Sequence, residues 1–128
     1  MLVVSEAVLE AMWLQARLEA PRECVGLLVG RLGRAEAAWP LPNASPRPEV
    51  AYEAEPRALV AALRRMDAAG LELVGIYHSH PNGAAWPSPT DRARAYWRVP
   101  YVILGLAEGA VRAFMLPEEE EVTLLVDA

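Results

Sequence analysis

Two histidines occur in this chain, and both stand in the tripeptide His78-Ser79-His80. The run Leu71–His80 (LELVGIYHSH) is short and apolar, so it reads as a strand. Residues two apart on a strand project from one face, so both imidazoles can converge on a single ion at ~2.0–2.1 Å. Ser79 then points the other way. A histidine pair has a plainer explanation, since surface pairs and core histidines are common. The next residues weigh against that explanation. The loop Pro81–Pro87 (PNGAAWP) carries glycine for a sharp reversal and prolines for stiffness, and it delivers Ser88 and Asp91 just beyond. Two imidazoles and one carboxylate make up the three-ligand set of a catalytic zinc, which keeps a fourth position for water. Such a site stays net positive, which draws the pKa of bound water toward neutrality. Ser88-Pro89-Thr90-Asp91 also spells a helix start, with Ser88 as N-cap, Pro89 first in the helix and Asp91 in its first turn. Ser88 can cap and also serve the site. Asp91 cannot spend all its lone pairs on capping and also hold a metal well.

These side chains need elements to carry them. Leu2–Val4 is a short β-rich run, and Ser5 is an N-cap for a helix over Glu6–Glu19. Within it Val8, Leu9, Met12, Trp13 and Ala16 recur at helical spacing, and Ala20-Pro21 ends it. Glu23–Arg31 (ECVGLLVGR) and Ala35–Leu41 read as strands, the first bounded by glycines. Pro40 to Pro48 is a loop by its prolines, Asn43 and Ser45, and Val50–Ala54 is a further strand candidate. Pro56–Ala69 shows an apolar stripe (Leu59, Val60, Leu63, Met66) and stops at Gly70, which predicts a second helix. A third helix opens at Ser88-Pro89 and is expected to run to about Trp97. Strands over Tyr101–Ala107, Ala110–Leu116 and Val122–Asp127 close the chain, the first two around the tight-turn pair Glu108-Gly109. The acidic run Glu118–Glu121 reads as a solvated turn. Helices and strands mix without strict alternation, which predicts α+β or a three-layer α/β/α arrangement with a mixed sheet flanked by helices.

Length and composition bound the partners. At 128 residues the chain suits one domain over 1–128 with a core that needs no staples. No stretch approaches the ~20 uninterrupted apolar residues of a membrane span, so no membrane partner is expected. A net charge of −5 argues against nucleic acid, whose binding depends on clustered cations. The lone Cys24 excludes an internal disulfide and fits a reducing compartment. Glu6, Glu10, Arg17 and Glu19 interrupt the N-terminal segment, which lacks the pattern of a secretory signal; a cytoplasmic protein is expected. Every basic side chain is arginine. Compositional bias of the source organism, avoidance of lysine-directed modification and thermophily are the readings open for that.

His78-Ser79-His80-Pro81, the seven residues Pro81–Pro87, then Ser88, two residues and Asp91 resemble the signature of the JAMM (MPN-domain) metalloproteases. The stretch Pro21-Arg22-Glu23-Cys24-Val25-Gly26-Leu27-Leu28-Val29-Gly30 is similar to that family's glutamate-bearing strand with its following G-L-L-x-G. The order of elements matches the family's minimal core over nearly the whole chain, and no essential motif position is substituted. The resemblance implies a stand-alone prokaryotic form with a cytidine-deaminase-like MPN fold. It implies one zinc ion with a bound water, held by His78, His80 and Asp91. It assigns Glu23 as the general base that takes a proton from the water and hands it to the leaving amine, and Ser88 as a donor to the tetrahedral oxyanion. The implied substrate is a ubiquitin-like or sulfur-carrier protein, cut after its C-terminal Gly-Gly.

Two other readings keep the same fold. A peptidase acting on other peptides, such as cell-wall stems, is disfavoured by the missing export signal. A non-catalytic assembly module is disfavoured by the intact ligand set. The H-x-H of amidohydrolases belongs to barrels too large for this length, and zinc deaminases want paired cysteines. Cys24 should face away from Glu23 into packing, with no third histidine to activate its thiol. Trp86 either lines a substrate groove or packs over its own loop, and Tyr77, Tyr96 and Trp97 read as core or rim. The oligomeric state is left open, a homodimer included.

Overall fold

The computed structural model describes residues 1–128. Ser5 caps the first helix by accepting a hydrogen bond from the Val8 amide, and strand β1 (Leu2–Ser5) passes directly into α1 (Glu6–Glu19). The hairpin β2 (Val25–Arg31) and β3 (Arg34–Leu41) follows, then α2 (Pro56–Ala68) and β4 (Glu72–His80). A short α3 (Pro89–Ala93) leads to β5 (Tyr101–Gly105), β6 (Ala110–Met115), β7 (Glu120–Val122) and β8 (Leu124–Asp127). The strands form one mixed sheet in the order β7-β6-β5-β4-β2-β3-β1-β8.

The two edge strands of that order, β7 and β8, are joined by Thr123 alone, so the sheet must curl until its edges meet. The Leu2 amide donates to the Thr123 carbonyl and helps close the seam. Inside the curl, Val8, Met12 and Ala16 of α1 pack with Leu2, Val4, Cys24, Leu28, Tyr77, Val102 and Leu104. On the other face, Ala62 and Met66 of α2 pack with Val25, Leu27, Val29, Ile76, Ile103 and Phe114. Helices thus cover both faces of a mixed sheet, as the sequence predicts.

One register fixes where functional groups can appear. β2 runs antiparallel to β4 with Val25 opposite His78 and Gly26 opposite Tyr77, so the beginning of β2 lies beside the end of β4. Extending that pairing sets Cys24 against Ser79 and Glu23 against His80. The bonds agree: the Ser79 amide donates to the Cys24 carbonyl at 3.2 Å, and the Cys24 amide donates to Ser79 Oγ at 2.8 Å. By strand alternation Glu23, His78 and His80 share the face that α2 covers, while Cys24, Tyr77 and Ser79 face α1.

Several boundaries differ from expectation. β2 begins at Val25 rather than Glu23, because the Glu23 amide donates to Pro48 O instead of to a neighbouring strand. Val50–Ala54 is not a strand; only Ala54 bridges, to Asn43, while Ala51 O and the Glu53 amide are bound by the Asn43 side chain. α3 ends at Ala93 instead of reaching Trp97, since the Tyr96 and Trp97 amides donate to the Tyr101 hydroxyl rather than continuing a helical ladder. The strand expected over Val122–Asp127 is two strands on opposite edges, and Glu120 and Glu121 of the acidic run belong to β7.

Gly26 marks a close approach that any side chain would block. The Tyr77 ring crosses it on its way to Gln15 of α1, and a Cβ at residue 26 would lie 2.2 Å from the phenol oxygen. Gln15 in turn donates to the Val25 carbonyl, so the contact ties α1 to β2. Gly26→Ala is expected to destabilise the fold by about 2–3 kcal/mol, as overpacking and a lost buried hydrogen bond combine. Urea unfolding measures this; a cost below about 0.5 kcal/mol, the scatter of surface substitutions, would mean that Tyr77 is free to move aside.

Candidate metal centre

The strand β4 ends by presenting His78 and His80 on one face, and the first turn of α3 brings Asp91 to them. His78 Nε2 and His80 Nε2 lie 3.2 Å apart, and Asp91 Oδ2 is 3.1 Å from the first and 3.0 Å from the second. Each imidazole nitrogen carries one lone pair or one hydrogen along a single in-plane direction. A closed triangle of contacts therefore cannot consist of three hydrogen bonds. The edges are close to the roughly 3.3 Å separating ligand atoms around a tetrahedral ion with 2.0–2.1 Å bonds. With Glu23 the set closes further: one ligand atom from each of Glu23, His78, His80 and Asp91 lies within 4.8 Å of the others. Two imidazoles and one carboxylate are a donor set that fits zinc.

Asp91 serves the helix and the cluster through one oxygen. Its Oδ2 accepts from the Ser88 amide at 2.9 Å, while Ser88 Oγ accepts from the Asp91 amide at 3.0 Å, a reciprocal capping box. The expected helix start and the expected ligand position thus coincide. Capping fixes the direction in which Asp91 points, and the Ser88 hydroxyl keeps its own hydrogen free to donate.

The loop between ligands is built to orient His80. The Ala84 carbonyl accepts from His80 Nδ1 at 2.9 Å, which places the proton there and leaves Nε2 bare for a cation. The loop packs against the end of β5 at Gly105, where a Cβ would sit 2.6 Å from the Ala85 nitrogen. Glu108, in the turn after β5, accepts from the Ala85 amide at 2.8 Å and pins the loop from the other side. Trp86 packs against Phe114 with Arg112 over its ring and is still half exposed.

Two buried polar atoms in the cluster have no partner within the protein, Glu23 Oε1 and His78 Nδ1. Burial pushes the Glu23 carboxyl up to about 7; His80 nearby opposes the rise and Asp91 adds to it. Burial also works to raise Asp91, but His78, His80 and the Ser88 amide overcome it and hold that carboxyl well below the usual carboxylate range. Cys24 faces the α1 side, and burial pushes its thiol up to about 11, which suits packing and not nucleophilic chemistry.

Beside Asp91 opens a cavity of about 260 Å³, with Val25, Leu27 and Ile76 on its floor and Tyr52, Arg94 and Trp97 around it. Tyr52 also stacks on His78, ring centroids 4.3 Å apart. Sequence reasoning passed over Tyr52 because it lies in a proline-rich stretch with no periodic signal. Asn43 and Glu108 registered only as turn residues.

The model of prokaryotic homologues of the JAB domain matches residues 5–117. A probable TtuB-protein conjugate cleaving protease of Thermus thermophilus is 55% identical over 108 residues, covering 84% of this chain and 71% of that protein. A desampylase of Haloferax volcanii is 42% identical over 81 residues, 62% of this chain and 58% of that protein. The solution structure of a protein from Desulfitobacterium hafniense superposes with a TM-score of 0.89 at 28% identity, covering 99% of this chain and 93% of the other. With the family's match running from the N-cap of α1 to the end of the β6 segment, and the histidine, serine and aspartate motif inside it, the chain belongs to the prokaryotic JAB-domain (JAMM/MPN) family.

Proposed function

We propose that this chain is a zinc-dependent isopeptidase that cuts after the C-terminal Gly-Gly of a ubiquitin-like or sulfur-carrier protein. The observation that carries the reading is the closed triangle of His78, His80 and Asp91 with the unpartnered Glu23 oxygen beside it. A relative named for cleaving protein conjugates and another named a desampylase support the substrate class. The reaction belongs to the cytoplasm, where Cys24 stays reduced. No helix is long and apolar enough to cross a membrane. All four residues of the cluster come from one chain.

Each side chain has a definable task. His78, His80 and Asp91 would hold the zinc ion, which would supply Lewis acidity and lower the pKa of water. Glu23 accepts a proton from the attacking water and later passes it to the leaving amine. A carboxyl held up near 7 suits both halves of that transfer at neutral pH. Ser88 donates its hydroxyl hydrogen to the developing oxyanion, a contact worth about 3 kcal/mol in such sites. The apolar cavity beside Asp91 receives the substrate chain and keeps water away.

Zinc-loaded protein is expected to cleave a conjugate or a C-terminally extended precursor of such a modifier. Glu23→Gln should lower kcat by roughly 10²–10⁴-fold while zinc content stays at one per chain. His78→Ala or Asp91→Ala should lose zinc and turnover together. Elemental analysis and gel-based cleavage read both quantities. Normal cleavage by Glu23→Gln would reassign the base, and an inert zinc-loaded wild type would remove the substrate class.

The same variant carries a pH signature in zinc-free protein. Glu23 has its folded pKa raised from 4.5 to about 7, so the folded state retains a proton that the unfolded state releases. Below 4.5 both states hold it and the group contributes nothing. Between the two values stability falls as pH rises, by roughly 1.4 kcal/mol for each pH unit, and it levels off above about 7. Glu23→Gln removes that cost, so its stability advantage over wild type should be greater at about pH 8 than at about pH 5 by urea unfolding. An equal difference at both pH values would contradict the burial argument.

A further inference from the structure

Asn43 lies outside every motif that marks the site, yet it is 6% exposed and uses its whole hydrogen-bonding capacity. Its Nδ2 donates to the Glu23 carbonyl at 2.9 Å and to the Ala51 carbonyl at 3.1 Å. Its Oδ1 accepts from the Ser45 amide at 2.9 Å and from the Glu53 amide at 3.0 Å. A primary amide has two N–H hydrogens and two oxygen lone pairs, and here all four are spent on backbone.

The four partners are informative. Glu23 sits outside the ladder of β2, so its backbone is not held by strand pairing on both sides. Asn43 grips its carbonyl, and on the following residue Ser79 Oγ grips the Cys24 amide. Ala51 and Glu53 flank Tyr52, the ring that stacks on His78 and lines the cavity. Both neighbours of Tyr52 are therefore tied to the amide that also ties Glu23. Main-chain bonds hold the Ala51 amide to Arg47 and the Glu53 carbonyl to Ala44, and they leave the Ala51 carbonyl and the Glu53 amide to Asn43.

We infer that Asn43 is a positioning residue for the reaction, one amide setting both the Glu23 carboxylate beside His80 and the Tyr52 ring over His78. It touches neither His78, His80 nor Asp91, and those three are oriented by β4, the Ala84 carbonyl and the α3 capping box. Its loss should therefore misplace the base and the cavity wall while leaving the metal-binding triangle intact. The inference rests on the isopeptidase reading for its activity readout and on the hydrogen bonds alone for its structural one.

Asn43→Asp tests it, since the shape is kept but the two donors to Glu23 and Ala51 become acceptors facing carbonyls. Asn43→Ser is the second variant, smaller and uncharged. In zinc-free protein, hydrogen exchange at the Glu23, Cys24 and Glu53 amides should quicken while the β4–β5–β6 amides keep their protection. In zinc-loaded protein, kcat should fall about 10- to 100-fold, the range for groups that orient a metal site. KM, and zinc affinity measured by chelator competition, should stay within about threefold of wild type, below that range. Loss of protection across the sheet, or failure of both variants to fold, makes Asn43 a folding determinant and overturns the inference. So does an unchanged kcat, or a kcat loss matched by an equal loss of zinc affinity. A wild type that cleaves no modifier would sink the isopeptidase reading, and the hydrogen exchange would still decide whether Asn43 positions Glu23.

Discussion

Four polar side chains converge in a buried corner where the protein supplies no complete solution for them. Glu23, His78 and Asp91 are each 5% exposed or less, and two of their polar atoms have no partner. A buried polar group left unpaired costs about 1–3 kcal/mol, and a folding optimum would fill this corner with apolar side chains. The surrounding core is of that kind, with Val25, Ile76 and Ile103 on the same face of the sheet. Local conflict of this sort persists where something other than folding requires it. The crowding of His78 Nε2, His80 Nε2 and Asp91 Oδ2 is the part that a divalent cation would relieve, since it would accept their lone pairs at about the separations they already hold.

The rest of the architecture reads as the means of keeping that corner in register. Antiparallel pairing of β2 with β4 places the start of one strand against the end of the other, so residues far apart in sequence share a face. Ser79, between the two histidines, uses its hydroxyl to clip the Cys24 amide on the opposite face, so the strand that presents the imidazoles also secures the segment carrying Glu23. The α3 capping box does comparable double service. A helix start needs an acidic side chain turned back toward the N-cap, and that turn aims Asp91 Oδ2 at both histidines. The conflict between capping and ligation foreseen from sequence dissolves because a carboxylate oxygen has two lone-pair directions, one toward the Ser88 amide and one toward the cluster.

How much of this was legible follows from what each feature depends on. The bounds of α1 and α2 come from local signals, Ser5 and Pro56 at their starts and Ala20-Pro21 and Gly70 at their ends; α1 stands as expected, and α2 ends one residue early, at Ala68. The spacing that gathers His78, His80 and Asp91 was legible because strand period and capping chemistry act over a few residues. Glu23 was not: an isolated glutamate before an apolar run has no local mark, and only resemblance lifted it. Tyr52, Asn43 and Gln15 were missed for one reason, that each matters through a partner distant in sequence. The short α3 and the strand misread at Val50–Ala54 share a cause. In both places a side chain, the Tyr101 hydroxyl or the Asn43 amide, takes backbone groups that local propensity assigns to helix or strand. Thr123 divides the last strand because the sheet has to close, a global condition that no window of sequence contains.

The two imidazoles are held in different ways. His80 has its Nδ1 hydrogen-bonded to the Ala84 carbonyl, whereas His78 is set by its place in β4, with its face against Tyr52 and its Nδ1 unpartnered. Burial lowers the pKa of His78, and Asp91 only partly offsets it, so this ring stays neutral with a lone pair to offer. For His80 burial also disfavours the charge, but the bonds to Asp91 and Ala84 outweigh it and raise the pKa. The two rings thus shift in opposite directions although they share one face of β4. Glu23 beside them is drawn up to about 7 by the same burial, with His80 opposing the rise. His80 is the ring that both the Ala84 carbonyl and Asp91 hold, so the loop anchored by Gly105 and Glu108 bears on the cluster as directly as the α3 capping box does.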